Sequence, residues 1–141
     1  CKIKGGVVET DPDEKNLRRI LNYGHTIGHA VEAASGFELL HGEAVAIGIV
    51  AAGLIEIEMQ LAEPDRLERI RRILEKLNVP VTLPENLARK DLIDLIKRDK
   101  KAVNKSPRFV LVSEIGRVYC KDEKYAVEVA PEVVERILDI L

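Results

Sequence analysis

The chain has 141 residues, with 22 Lys and Arg against 24 Asp and Glu and a formal net charge of −2. With 46% hydrophobic and 33% charged residues it is one domain's worth of globular protein, which excludes an intrinsically disordered chain. The near-neutral balance gives no electrostatic footprint for nucleic acid, the charge-free stretch Ala44–Ile55 is too short to span a bilayer, and Cys1 and Cys120 make neither a disulfide framework nor a metal pattern.

Residues 1–10, with Gly5-Gly6 and Val7-Val8, read as the end of an earlier element running into a loop. A chain that opens on Cys1 instead of Met is expected to be a piece of something larger. A first helix is expected from Asp11, where Asp11-Pro12-Asp13-Glu14 sets a capping acid, a proline at the first helical position and Glu14 three residues on. Leu17, Ile20, Leu21, His25, Gly28, Val31 and Ala34 then recur at helical spacing up to a stop at Gly36. The second helix, from about His41 to Leu61, is apolar almost all round until Glu56, so it belongs at the centre of the domain. Gly48 and Gly53 inside it each cost about 1 kcal/mol relative to alanine, which close packing against another helix would explain.

A third helix, about Pro64–Leu77, carries Leu67, Ile70, Ile73, Leu74 and Leu77 as one stripe. Residues 84–88 offer a short helix, and Lys90 to about Lys97 another. Then the period changes. Arg108–Val112 and Arg117–Cys120 flank Glu114-Ile115-Gly116 as a hairpin, Val127–Val129 adds an edge strand, and a helix over Pro131–Leu141 closes the chain. Cys120, on a strand with no histidine near it in sequence, reads as core. The expected fold is mainly α, a multi-helix domain with a small β-hairpin.

All three histidines, His25, His29 and His41, fall within 17 residues. His25 and His29 are four apart, so on a helix both rings leave one face about 6 Å apart, a spacing that can hold a zinc ion. His41, opening the next helix, is a third nitrogen donor, and Glu32 and Glu43 are the local acids; spacing selects neither. Arg18, Asn22, His25 and His29 share one helical stripe, a combination suited to an anionic ligand. Gly24 and Gly28 beside the histidines point to close backbone approach. Asp99-Lys100-Lys101 alone reads as a solvated charge run.

Leu21-Asn22-Tyr23-Gly24-His25-Thr26-Ile27-Gly28-His29-Ala30-Val31-Glu32, followed by His41-Gly42-Glu43-Ala44-Val45-Ala46-Ile47-Gly48, resembles the signature of the 3-dehydroquinate synthases. Lys4, Val7-Val8, Asp11, Glu14 and Arg18 upstream, and Asp99-Lys100-Lys101, Arg108–Leu111 and Ile115-Gly116 downstream, match the same family. Asn16 departs from the glycine often found there. The resemblance implies that residues 1–141 are the C-terminal half of a two-domain, usually dimeric enzyme of the shikimate pathway. That enzyme converts 3-deoxy-D-arabino-heptulosonate 7-phosphate to 3-dehydroquinate plus phosphate, using NAD and a divalent metal, Zn2+ or Co2+. NAD transiently oxidises a ring hydroxyl polarised by the metal, phosphate is eliminated, the carbonyl is reduced back, and the opened ring closes by an aldol step.

By the same resemblance His25 and His41 are metal ligands, whereas spacing alone paired His25 with His29. His29, Asn22 and Lys100 hold the substrate phosphate, Arg18 takes the carboxylate, and Lys4, Glu14 and His29 are catalytic. The third metal ligand, a glutamate, and the NAD site lie in an N-terminal domain that this chain does not contain, since it has no strand–glycine-rich-turn–helix unit for a dinucleotide. The chain alone is then expected to be inactive, in a cytoplasmic setting, with a small sugar acid phosphate and the missing domain as its partners and neither membrane nor nucleic acid. Two other readings stand beside it: a related sugar-phosphate cyclase such as 2-deoxy-scyllo-inosose synthase, and a self-contained zinc hydrolase. The second lacks the His-Glu-x-x-His arrangement, because Thr26 follows His25. A helical interaction module without catalysis is a further alternative.

Overall fold

The structure is a computed structural model and describes residues 2–103 and 107–141, with the side chains of 98–103 outside the description. Six α-helices occur among the described residues: α1 (Lys2–Thr10), α2 (His25–Ala34), α3 (His41–Glu58), α4 (Pro64–Lys76), α5 (Arg89–Val103) and α6 (Pro131–Ile140). A 3-10 helix spans Leu17–Asn22, and four short strands, β1 (Arg108–Val110), β2 (Val112–Glu114), β3 (Arg117–Val118) and β4 (Ala126–Glu128), lie between α5 and α6. The fold is therefore mainly helical with a small antiparallel β element, as expected.

Helix α3 is the axis of the domain. Ala44, Ile47, Val50, Ala51 and Ile55 have no exposed surface, and α2, α4 and α6 pack around them. A helix surrounded in this way has no polar face to offer water, which is why its sequence is apolar all round. Leu92 of α5, Leu111 between β1 and β2, and Leu138 of α6 complete the same cluster. Proline opens α4 and α6 at the first turn, where its missing N–H costs nothing. On α4, Leu67 is buried, but Ile73 and Leu77 of the expected stripe stay exposed.

Four local expectations need correction. Residues 2–10 form α1, an exposed helix with no buried residue, instead of a loop. The single helix expected from Asp11 to the Gly36 stop is broken into loop, 3-10 turn and α2. Two backbone positions break it: Glu14 has φ +54 and Gly24 has φ +78, both left-handed. Asp11 does cap, but its carboxylate accepts the backbone N–H groups of Lys15, Asn16 and Arg18 at 2.9, 2.8 and 3.0 Å, which folds a loop and not an α-helical turn. Residues 84–88 form a turn, with the Leu87 N–H on the Pro84 carbonyl at 3.1 Å, and not a helix. Cys120 is exposed and lies beyond the end of β3 at Val118, so it is neither on a strand nor in the core.

The β element also has more parts than one hairpin. Strands β2 and β3 pair as expected, with Val112 opposite Val118. Strand β1 pairs with β4, Phe109 opposite Val127, so the expected edge strand closes against the first strand of the run. This places Arg108, Phe109 and Val110 beside α2, and the Thr26 hydroxyl donates to the Arg108 carbonyl at 2.7 Å.

Candidate metal centre and adjoining cleft

Helix α2 starts directly at His25 because Gly24 supplies the left-handed turn before it. Helix α3 starts at His41, where the Glu43 carboxylate accepts the Leu40 N–H at 2.9 Å. The seam between the two helices is made by glycines. A Cβ on Gly28 would meet Val45 Cα at 3.1 Å, and one on Gly24 would meet the Ile49 nitrogen at 2.7 Å. Close approach along this seam brings the first turn of α3 over the face of α2 that bears His25 and His29.

The three imidazoles form a near-equilateral triangle. Ring centroids are 5.4 Å apart for His25–His29, 5.4 Å for His25–His41 and 5.7 Å for His29–His41. One donor nitrogen from each lies within 4.8 Å of the others. A tetrahedral zinc ion wants its nitrogen donors about 3.3 Å apart, a contraction that rotation of the side chains can supply, since His29 and His41 are exposed and His25 is half-buried. His25 Nδ1 lies 3.2 Å from the Tyr23 carbonyl, and His41 Nδ1 lies 3.2 Å from Glu32 Oε2. With Nδ1 occupied, each of these rings has Nε2 left for a cation. The donor set therefore fits a borderline transition metal such as zinc or cobalt.

Beside the triangle lies an open cleft of about 700 Å³. Its lining combines polar side chains, Glu14, Arg19, Asn22, His25, His29 and Arg108 among them, with apolar ones from α5 such as Leu95 and Ile96. The Asn22 amide donates to Glu14 Oε1 at 2.8 Å, so two of the singled-out residues are already coupled. Arg18 is not among the described residues lining the cleft; its guanidinium donates to the Pro12 carbonyl at 2.7 Å. The 3-10 turn, in place of the expected α-helix, puts Arg19 on the cleft side instead. Lys4 is exposed on α1, also off the cleft lining. Lys100 belongs to α5, and its side chain lies outside the described residues.

Arg19, Thr26 and Arg108 line the cleft without having been singled out as site residues. In the sequence Arg108 stands out only as part of the family match; its place at the cleft is not legible there, because its contact with Thr26 spans 82 residues of sequence. Its Nε is buried and has no hydrogen-bond partner among the described residues.

A second polar cluster is buried between α3, α4 and β2. Glu56, fully buried on α3, pairs with Arg66 of α4, and its Oε1 accepts the Val112 N–H at 2.6 Å. Arg66 also donates to the Val112 carbonyl, and the Tyr23 hydroxyl lies 3.4 Å from Glu56 Oε2. Burial pushes the Glu56 carboxyl up to about 7, against the lowering effects of the Val112 N–H and Arg66. Burial, together with the negative charge of Glu56, also pushes the Tyr23 phenol well above its ordinary value.

A family profile described as 3-dehydroquinate synthase C-terminal matches residues 1–102. The chain belongs to that family. A curated 3-dehydroquinate synthase of Symbiobacterium thermophilum is 50% identical over 119 residues, which is 84% of this chain and 33% of that protein. The synthase of Gloeobacter violaceus is 42% identical over 142 residues, spanning 100% of this chain and 38% of its own length. The chain thus spans about a third of the curated relatives it matches. Among solved structures, 2-deoxy-scyllo-inosose synthase complexed with carbaglucose-6-phosphate, NAD+ and Co2+ superposes with a TM-score of 0.85 at 25% identity, covering 97% of this chain and 38% of that one. The histidine triangle and the cleft both fall in the segment that the family profile matches, apart from Pro107, Arg108, Val110 and Ala126. Among the described residues no helix is long and apolar enough to cross a membrane.

Proposed function

We propose that this chain is the metal- and substrate-binding part of a 3-dehydroquinate synthase. The whole enzyme would convert 3-deoxy-D-arabino-heptulosonate 7-phosphate to 3-dehydroquinate and phosphate, in a cytoplasmic setting. The observation that carries the reading is the meeting of three imidazoles from two helices at the edge of a polar cleft, inside the segment matched by the family. His25 and His41 hold the cation, each through the ring nitrogen left free by its Nδ1 contact. When bound, zinc or cobalt supplies Lewis acidity at a substrate hydroxyl, and NAD supplies a reversible hydride acceptor. A glutamate ligand and the dinucleotide site come from the part of the relatives that this chain does not span.

The chain's own residues bind and orient the anionic substrate. His29, exposed at the cleft, donates a ring N–H to a phosphate oxygen, with Lys100 adding charge. Asn22 presents its amide to the same group, held in place by Glu14 at 2.8 Å. Glu14 serves as a supporting acid, and Arg18 takes the carboxylate after leaving the Pro12 carbonyl, with Lys4 as a further catalytic group. Without the remaining ligand and the cofactor site, this chain alone does not turn over.

Calorimetric titration of the chain with zinc, alongside His41→Ala, tests the reading. Weak binding that His41→Ala removes, and that the separately made N-terminal part of a relative strengthens, is expected. Tight binding unaffected by His41→Ala would overturn the ligand assignment in favour of a local His25/His29 site. One observation favours a second reading, a related sugar-phosphate cyclase whose substrate lacks a carboxylate: the Arg18 guanidinium rests on a backbone carbonyl off the cleft. Arg18→Ala in the assembled enzyme separates the two, since only a sugar acid substrate loses most of its turnover.

A further inference from the structure

Glu32 has no place in the ligand set above, yet it is the side chain that touches His41. Its carboxylate reaches from α2 to the first residue of α3, with Oε2 3.2 Å from His41 Nδ1. Glu32 keeps only 21% of its side chain exposed, whereas the His41 ring is 54% exposed and has no other hydrogen-bond partner among the described residues. An exposed imidazole at a helix start has free rotation about both side-chain torsions and two tautomers of similar energy. A carboxylate fixed on a neighbouring helix removes both freedoms: it accepts Nδ1–H, so Nε2 carries the lone pair and the ring plane is set.

Glu43, the other local acid, is engaged elsewhere, at the Leu40 N–H. The loop between the helices keeps Glu32 within reach. Gly36 and Phe37 both take left-handed backbone conformations, with φ +63 and +64, and the Ser35 hydroxyl donates to the Glu32 carbonyl at 2.8 Å. The tight return places the last turns of α2 against the first turn of α3.

We propose that Glu32 is a positioning residue for the metal centre, acting through His41: it selects the Nδ1–H tautomer, aims Nε2 at the cation, and is not itself a ligand. The inference rests on the reading that His41 binds the cation, and its test separates the two. The 141-residue chain is titrated with zinc alone as wild type, Glu32→Ala, Glu32→Gln and His41→Ala. The His41 tautomer is read by long-range nitrogen–carbon NMR correlations on metal-free protein in mildly alkaline buffer.

Glu32→Ala should lower zinc affinity about 10- to 100-fold, the usual effect of losing such a partner, and should let the His41 ring populate both tautomers. Glu32→Gln, which keeps a neutral oxygen acceptor, should lose less affinity and retain most of the Nδ1–H form. Alanine favours a helix, so these variants should fold. Unchanged zinc affinity in Glu32→Ala would overturn the proposal. So would lost affinity with an unchanged His41 tautomer, the result expected if Glu32 were a ligand. If wild type and His41→Ala bind zinc alike, the ligand reading fails; the metal-free tautomer then still decides whether Glu32 orients the ring.

Discussion

A methyl group on Gly48 would stand 2.0 Å from the carbonyl oxygen of Gly24 and 2.8 Å from the Gly28 nitrogen, so these glycines set how closely α2 and α3 approach. The obstacle is backbone on both sides, which has no rotamer to change. Gly48→Ala must therefore part the helices, at a cost of about 1–3 kcal/mol or more. Because His25 and His29 ride on α2 and His41 on α3, the same substitution should weaken zinc binding. Gly53→Ala makes the control: its Cβ meets the side chain of Leu67, nearest at Cδ1, 2.6 Å away, with no backbone among its nearest neighbours, and alanine gains helix propensity of about 1 kcal/mol. Urea unfolding should show Gly48→Ala clearly less stable than Gly53→Ala. Equal midpoints would mean that the seam yields more readily than its geometry implies.

Glu56 and Arg66 are both buried, and each is the other's main counter-charge. Glu56→Ala leaves a guanidinium unpaired in the core and should cost about 3–5 kcal/mol in urea unfolding. The pH dependence has a definite sign. Burial raises the Glu56 carboxyl from 4.5 to about 7, so the folded chain holds this proton more tightly than the unfolded chain. Its contribution to stability is complete below pH 4.5 and is lost as pH rises through 7. Glu56→Gln should be less stable than wild type yet show no such decline across that window. A decline of the same size in Glu56→Gln would assign it to another group.

Asp11 runs in the opposite direction. The backbone N–H groups of Arg18, Asn16 and Lys15 hold its carboxyl down to about 2, from 3.8. The folded state therefore binds this proton less well, and the ordering that Asp11 gives the 12–18 loop persists above pH 3.8 and is lost as pH falls through 2. Asp11→Ala should speed amide exchange at Lys15, Asn16 and Arg18 at neutral pH while leaving α3 protected. Exchange unchanged at those three amides would show the loop held by other contacts.

The histidines should separate by ligand. His25→Ala and His41→Ala should each lower zinc affinity, whereas His29→Ala should leave it near wild type and instead weaken inorganic phosphate binding to the chain. The reverse order for His29 and His41 would restore the pairing that spacing alone suggests. Titration calorimetry with zinc and with phosphate reads both.

Periodicity in the sequence was enough for α3, α4, α6 and the start of α5, because a buried or amphipathic helix writes its burial into its own residues; α5 runs on to Val103, past the end expected near Lys97. Proline at 64 and 131 marked two of the starts. The histidine motif and the family were legible because the residues that carry them fall in two short stretches, 21–32 and 41–48. The break at Gly24 was not legible. Leu17, Ile20 and Leu21 keep helical spacing whether the turn is 3-10 or α, and only the approach of α3 requires the left-handed glycine.

Which polar residues are available to the cleft was also written in the sequence, but not which arginine lines it. A one-residue difference in helical phase moves Arg19 to the cleft and Arg18 to the Pro12 carbonyl. Arg108, Glu56 and Glu32 find their partners only through contacts between elements distant in the chain or on different helices. A sequence records which side chains are available at each turn of a helix; which of them meet across a seam depends on interhelical distance, and here backbone-to-backbone contact between glycines sets that distance.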